Sequence, residues 1–173
     1  MKESNLFSAF SLNNKIFRNR IILSPMCQYK ANNGFIDEWH LQHYSRFAFS
    51  GLGAAFIEAT GVSAEGRITH GCTGIWEDNH IDGLKKITKI FKEYDCVSGI
   101  QLAHAGRKAS FLRPWDGAKP IEENCEGNEQ KWQTIGPSSL PVNDQSPVPL
   151  EMSKEDIYRV KSEFKNAAIR SLE

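Results

Sequence analysis

Residues 54–62, AAFIEATGV, decide the architecture. The run is short and almost wholly apolar. Because alternation marks a strand with one wet face, its absence suits a strand of a parallel sheet covered on both faces. Two further runs read the same way, 20–24 (RIILS) and 97–103 (VSGIQLA). The segments between them have helical period. In 78–94, Ile81, Leu84, Ile87, Phe91 and Tyr94 recur at three or four, with Asp78 placed to cap the first turn. In 38–49, EWHLQHYSRFAF, the residues Trp39, Tyr44, Phe47 and Ala48 share one side, and Gly51 and Gly53 stop the helix before the next strand. The last segment, SKEDIYRVKSEFKNAAIRSLE, opens with the capping-box spacing Ser153 to Asp156. It carries Ile157, Val160, Phe164, Ala167 and Ala168 along one face.

This succession of strands and helices implies parallel strands joined by right-handed crossovers, an α/β architecture. Its 173 residues make one domain, 1–173. Period alone leaves open whether the sheet is an open doubly wound one or the first part of a barrel. The stretch from Phe111 to Met152 is rich in Pro, Gly, Asn and Glu and reads as a long loop, of a length that covers a site or moves.

Apolar residues make up 40% and charged ones 24%, the balance of a soluble globular protein. Lys plus Arg (21) equal Asp plus Glu (21), so neither nucleic acid nor an anionic membrane is an expected partner. The start, MKESNLFSAFSLNN, lacks the features of a secretory signal, and no apolar run reaches spanning length. The expected location is the cytoplasm. Cys27, Cys72, Cys96 and Cys125 show neither C-x-x-C pairing nor dense spacing and are expected as reduced thiols.

In either parallel architecture ligands meet the carboxyl ends of the strands. Polar and small residues gather there from three otherwise apolar strands. They are Ser24, Pro25, Met26, Cys27 and Tyr29 after the first, Glu58, Ala59 and Thr60 at the end of the second, and Gln101, His104 and Arg107 at the end of the third. Each has a plain structural reading. Cys27 suits an inert core thiol, Gln101 a partner for loop carbonyls, His104 a packed imidazole and Arg107 a solvated charge. His40 and His43 lie three apart on a helix, but no third ligand is spaced to hold a metal with them. G-x-G-x-x-G after a strand, the P-loop and G-x-S-x-G are all missing from the sequence.

Four linked motifs, NRIILSPMCQY, FIEATGVSAEGRIT, GIWEDNHIDGL and GIQLAHAGRKAS, occur in the order and spacing of the Old Yellow Enzyme family of FMN-dependent ene reductases. The chain resembles in particular the bacterial branch with a cysteine beside the flavin. The resemblance runs from about Leu6 to the end and implies a TIM (β/α)8 barrel, of which this chain supplies about three βα units. It implies that Ser24, Pro25, Met26, Cys27, Ala59 and Gln101 contact FMN and that Tyr29 stands on the substrate side. NADPH or NADH would reduce the flavin, and hydride would pass to an activated alkene, a small molecule. Small residues and an amide suit a flat ring with a polar edge, and Pro25 fixes the backbone beside it.

The family's substrate-binding histidine pair and proton-donating tyrosine belong to a segment after the fourth strand. The chain ends at Ser171, Leu172 and Glu173. The expectation is therefore an amino-terminal portion of the barrel without a catalytic acid of its own. It would be completed by a complementary chain or a homo-oligomer, or survive as an inactive remnant. The related dienoyl-CoA reductases and trimethylamine dehydrogenases add an iron-sulfur cluster, and the cysteine run for one is missing here.

Overall fold

The computed structural model of the protein describes residues 4–122 and 130–173. It runs β1 (Phe10–Leu12), β2 (Lys15–Phe17), β3 (Ile22–Leu23), α1 (Glu38–Phe49), β4 (Ala54–Gly61), α2 (Ile81–Glu93), β5 (Val97–Ala103), β6 (Ile135–Gly136), β7 (Leu150–Glu151) and α3 (Lys154–Arg170). Cys125 and the middle of the expected 111–152 loop lie outside the described residues. The architecture is α/β. A parallel sheet in the order β3-β4-β5 carries α1, α2 and α3 against one face. Among the described residues, no helix is long and apolar enough to cross a membrane.

The core lies between β4 and the helices. Ala55 and Ile57 pack with Tyr44 and Ala48 of α1, with Leu84, Ile87 and Phe91 of α2, and with Ala167 of α3. Ile87 and Phe91 are fully buried. Each such side chain contributes about 1.5–3 kcal/mol by leaving water. The Tyr44 and Phe91 rings meet edge to face at 5.9 Å. The opposite sheet face is open, with Ile22, Phe56 and Gln101 exposed. The expectation of strands covered on both faces thus holds, among the described residues, for the helix side only.

Several local readings need correction. The first strand is shorter than 20–24. Asn19 Oδ1 takes the Ile21 amide at 3.1 Å, and Pro25 has no N–H with which to continue the ladder beyond Ser24. Helix α1 starts at an Asp37 cap whose carboxylate accepts the Trp39 amide. It turns His40, Tyr44 and Ala48 inward, spaced by four, while Trp39 is half-exposed. Asp78 is not a cap. A short 3₁₀ turn, Asp78–His80, precedes α2 and is closed by Glu77 and the His80 ring. Asp78 instead accepts from Arg170 Nε at 2.7 Å and so ties the end of α3 to the start of α2. Ser153 and Asp156 do form the capping box of α3, but of its expected face only Ala167 is fully buried, and Ile157 and Ala168 are exposed.

The antiparallel hairpin β1–β2 was not read from the sequence, although FSL-NN-KIF carries its signature of two short runs around an Asn-Asn turn. Asn13 takes φ 52°, which Asn tolerates. Just after the hairpin, Arg18 Nε donates to the Leu52 carbonyl at 3.0 Å and Asn19 Nδ2 to that of Gly51 at 2.7 Å. The hairpin is thereby held at the amino-terminal ends of the strands. Their carboxyl ends are left to the loops.

Candidate functional site

Strand β4 holds one residue more than its neighbour. Ile57 pairs with Ile100 and Ala59 with Gln101, so Glu58 has no partner and forms a bulge. Its freed amide donates to Tyr44 Oη at 2.8 Å. Its side chain, fully buried, points at α1 and back toward the segment after β3. Beyond the bulge the half-buried Ala59 stands opposite the exposed Gln101. One step earlier on the same open face, the Phe56 ring covers Gly99, where an added methyl would come within 2.6 Å of it.

Glu58 organises the segment after β3. Its Oε2 accepts the Gln28 amide at 2.7 Å, and the Tyr29 amide and the Thr73 and Tyr44 hydroxyls lie close to the carboxyl group. Its Oε1 faces His40 Nε2 at 3.5 Å, and His40 Nδ1 lies 2.9 Å from Asp37 Oδ1. Burial raises the Glu58 pKa to about 7 against the pull of those hydrogen bonds, and burial lowers that of His40. Tyr29 sits at φ 52°, a left-handed backbone that costs a residue with a Cβ about 1–2 kcal/mol. Its amide on Glu58 and its carbonyl against Gly71 hold it there.

Two protons are held firmly at this rim. The half-buried Cys27 thiol touches the Ala59 amide and the Tyr29 phenol. Burial, with Cys72 and Glu58 nearby, pushes its pKa up to about 11. Burial likewise pushes Tyr29 up to about 12. At neutral pH one is a thiol and the other a phenol, so they act as neutral hydrogen-bonding groups. A thiol this far from its thiolate form is a poor nucleophile.

The structure thus brings Cys27, Tyr29, Ala59 and Gln101 to one rim, with Ser24, Pro25 and Met26 leading into it from β3. Ser24 and Met26 are exposed there. His104 stands apart, taking the Gly106 amide on Nδ1 at 3.1 Å, and the exposed Arg107 reaches toward the Leu140 carbonyl. His40 and His43 diverge. His40 turns inward, while His43 lies edge-on to Tyr44 and Phe47. Sequence reasoning placed Glu58 on the rim but missed its role as the anchor behind it. The available signal was an acid inside an apolar strand, which must find several donors if it is buried.

Glu58 leaves a mark on stability. Between pH 4.5 and 7 the native chain keeps a proton there that the unfolded chain has released, so stability falls as pH rises through that window. His40 acts with the opposite sign below pH 6.5, because the unfolded chain takes up a proton that the buried ring refuses. Above that pH the Glu58 slope stands alone. From pH 6 to 8 the unfolding free energy of the natural chain, relative to Glu58→Gln, is expected to fall by about 1 kcal/mol in urea titrations. Parallel pH profiles for the two chains would refute the assignment.

The sequence matches the model for the NADH:flavin oxidoreductase / NADH oxidase family over residues 5–173. The chain belongs to this family. It is similar to the NADPH dehydrogenase of Bacillus cytotoxicus, 42% identical over 170 residues, which are 97% of this chain and 44% of that protein. It is also similar to the NADPH dehydrogenase of Geobacillus thermodenitrificans, 38% identical over 168 residues, 96% of this chain and 44% of that protein. The chain therefore spans just under half the length of these relatives. Among solved structures, morphinone reductase matches with a TM-score of 0.78 at 21% identity, over 99% of this chain and 46% of its own. The Old Yellow Enzyme homologue of Zymomonas mobilis matches at 0.76 and 23%, over 98% and 45%. At such identities these two show the shared fold. The family's cofactor is FMN, with NADH or NADPH as reductant.

Proposed function

We propose that this chain forms one wall of the FMN site of an NAD(P)H-dependent oxidoreductase of the ene-reductase type, built on about three βα units of a TIM barrel. The observation that carries the reading is the meeting of Cys27, Ala59 and Gln101 at the carboxyl rim of three parallel strands. The residues fit the group. Ala59 offers only a methyl where a flat ring needs room, and the exposed Gln101 amide offers a donor and an acceptor to a polar ring edge. When bound, FMN supplies hydride transfer, here toward the C=C bond of an activated small-molecule alkene.

The chain's own residues orient and tune. Cys27 presents a neutral thiol, fixed by the Ala59 amide, to the space beside the wall. Tyr29, kept protonated by burial, has a phenol to donate on the substrate side. Pro25 limits the freedom of the segment that carries both. The open sheet face and the unpaired outer edge of β5, among the described residues, favour a barrel completed by further strands, from a longer protein or from a second chain.

The test is an FMN titration of the purified chain. Saturable quenching of flavin emission, with a visible band near about 450 nm that survives desalting, is the expected result. Gln101→Ala is expected to weaken binding about tenfold while leaving thermal stability unchanged. FMN that stays fully fluorescent in the presence of folded chain would remove the proposal.

A further inference from the structure

The chain has four tryptophans, and all four hold cations. Lys30 Nζ lies 5.3 Å from the Trp39 ring and 4.8 Å from the Trp115 ring. Arg67 Cζ lies 5.4 Å from the Trp76 ring and 5.3 Å from the Trp132 ring. Both cations line one cavity of about 380 Å³, together with Asn32, Asn33, His70 and Arg113. Among the described residues no carboxylate lines it, and neither Lys30 nor Arg67 has an acidic partner.

The chain as a whole carries no net charge, so this concentration of one sign is not a by-product of a basic protein. Indole faces orient a cation and strip it of water, but they leave its charge in place. Burial indeed lowers the Arg67 pKa, the signature of a desolvated cation short of a counter-ion. Like charges gathered in one cavity repel, and that repulsion is relieved when an anion enters. Arg67 commits Nε to the Ala64 carbonyl at 2.7 Å, while its stacked plane leaves the Nη edge for a second acceptor. Packing alone would explain one stacked arginine. It does not explain two caged cations converging on the same space.

We propose that this cavity binds a phosphate group of a small molecule, with Lys30 and Arg67 as its principal contacts and Arg113 beside them. Lys30 directly follows Tyr29, whose ring lies edge-on to Trp115 at 6.3 Å, so the bound phosphate sits next to the tyrosine. The phosphate has two available sources, the phosphates of a dinucleotide reductant and a phosphorylated or free phosphate species. Only the first of these rests on the function proposed above.

The experiment uses the full chain labelled with nitrogen-15 at tryptophan, in Tris buffer at fixed ionic strength, titrated with inorganic phosphate, 2′,5′-ADP and 5′-AMP. The caged indole N–H resonances are expected to shift saturably. Lys30→Met and Arg67→Met, which keep apolar bulk between the rings, are each expected to weaken binding about tenfold. Circular dichroism checks that the variants are folded. Arg67→Lys, which keeps the charge but loses the planar fork, is a second variant expected to weaken binding less. Tighter binding of 2′,5′-ADP than of the other two supports the dinucleotide source, and equal binding of inorganic phosphate supports a bare phosphate. No saturable shift with any of the three, or affinities unchanged in both methionine variants, overturns the proposal. Flavin is not a reagent here, so failure of the FMN titration and failure of this one are separate results.

Discussion

Glu58→Ala is expected to lower the unfolding free energy by about 4 kcal/mol, a large part of what a domain of this size possesses. The substitution strands the Gln28 and Tyr29 amides, leaves His40 facing a void and opens a cavity between β4 and α1. Each buried donor left without an acceptor costs about 1–3 kcal/mol. Glu58→Gln keeps the volume and one acceptor oxygen, so its loss should be about 1–2 kcal/mol. Urea denaturation of the three chains at pH 6 gives the ranking. A loss below about 1 kcal/mol for the alanine variant would mean that the carboxylate does not hold the segment after β3. In the alanine variant FMN affinity should fall with stability, whereas Gln101→Ala should separate the two.

Gly71→Ala is the second large effect. An alanine Cβ at that position would stand 2.1 Å from the Tyr29 carbonyl oxygen and 2.8 Å from Arg113 Nε. The first neighbour is backbone and cannot swing away. Moreover, the Gly71 carbonyl accepts the Ala31 amide at 2.9 Å, so retreat of either strand of chain breaks that bond. A stability loss of about 3 kcal/mol is expected, read as a lowered thermal midpoint. Gly51→Ala is the control. It adds a Cβ into open space at φ 86° and should cost only about 1–2 kcal/mol of backbone strain. Equal losses for the two would show that the contact with Tyr29 is not what requires a glycine at residue 71.

The parts of this fold written in local pattern were legible. The 97–103 run is β5, the 38–49 run is α1, and Ser153 with Asp156 caps α3, because each depends on neighbours within a turn or on one apolar strip. The parallel order followed from the alternation of strands and helices. What could not be read was set by contacts distant in sequence. His40 rather than Trp39 faces inward because Glu58 and the Tyr44 ring wait there. Asp78 gives up capping because Arg170, 92 residues away, competes for it. The cation cages were invisible for the same reason. Lys30, Arg67 and the four tryptophans are scattered from 30 to 132 in the sequence, and only the fold gathers them. At the rim, residue types identified Cys27, Ala59 and Gln101, but the partnership of Ala59 with Gln101 depends on a bulge that no spacing rule announces.

That bulge also makes strand length a chemical variable. Up to Ile57, odd-numbered residues of β4 meet the helices. Past Glu58 the parity reverses, and Ala59 stands opposite Gln101. Removing Glu58 would restore simple alternation with Ala59 still opposite Gln101, so the wall would survive while the anchor behind it was lost. Among relatives of this chain, loss of the extra residue would leave the wall as it is and free the segment after β3 from its carboxyl anchor.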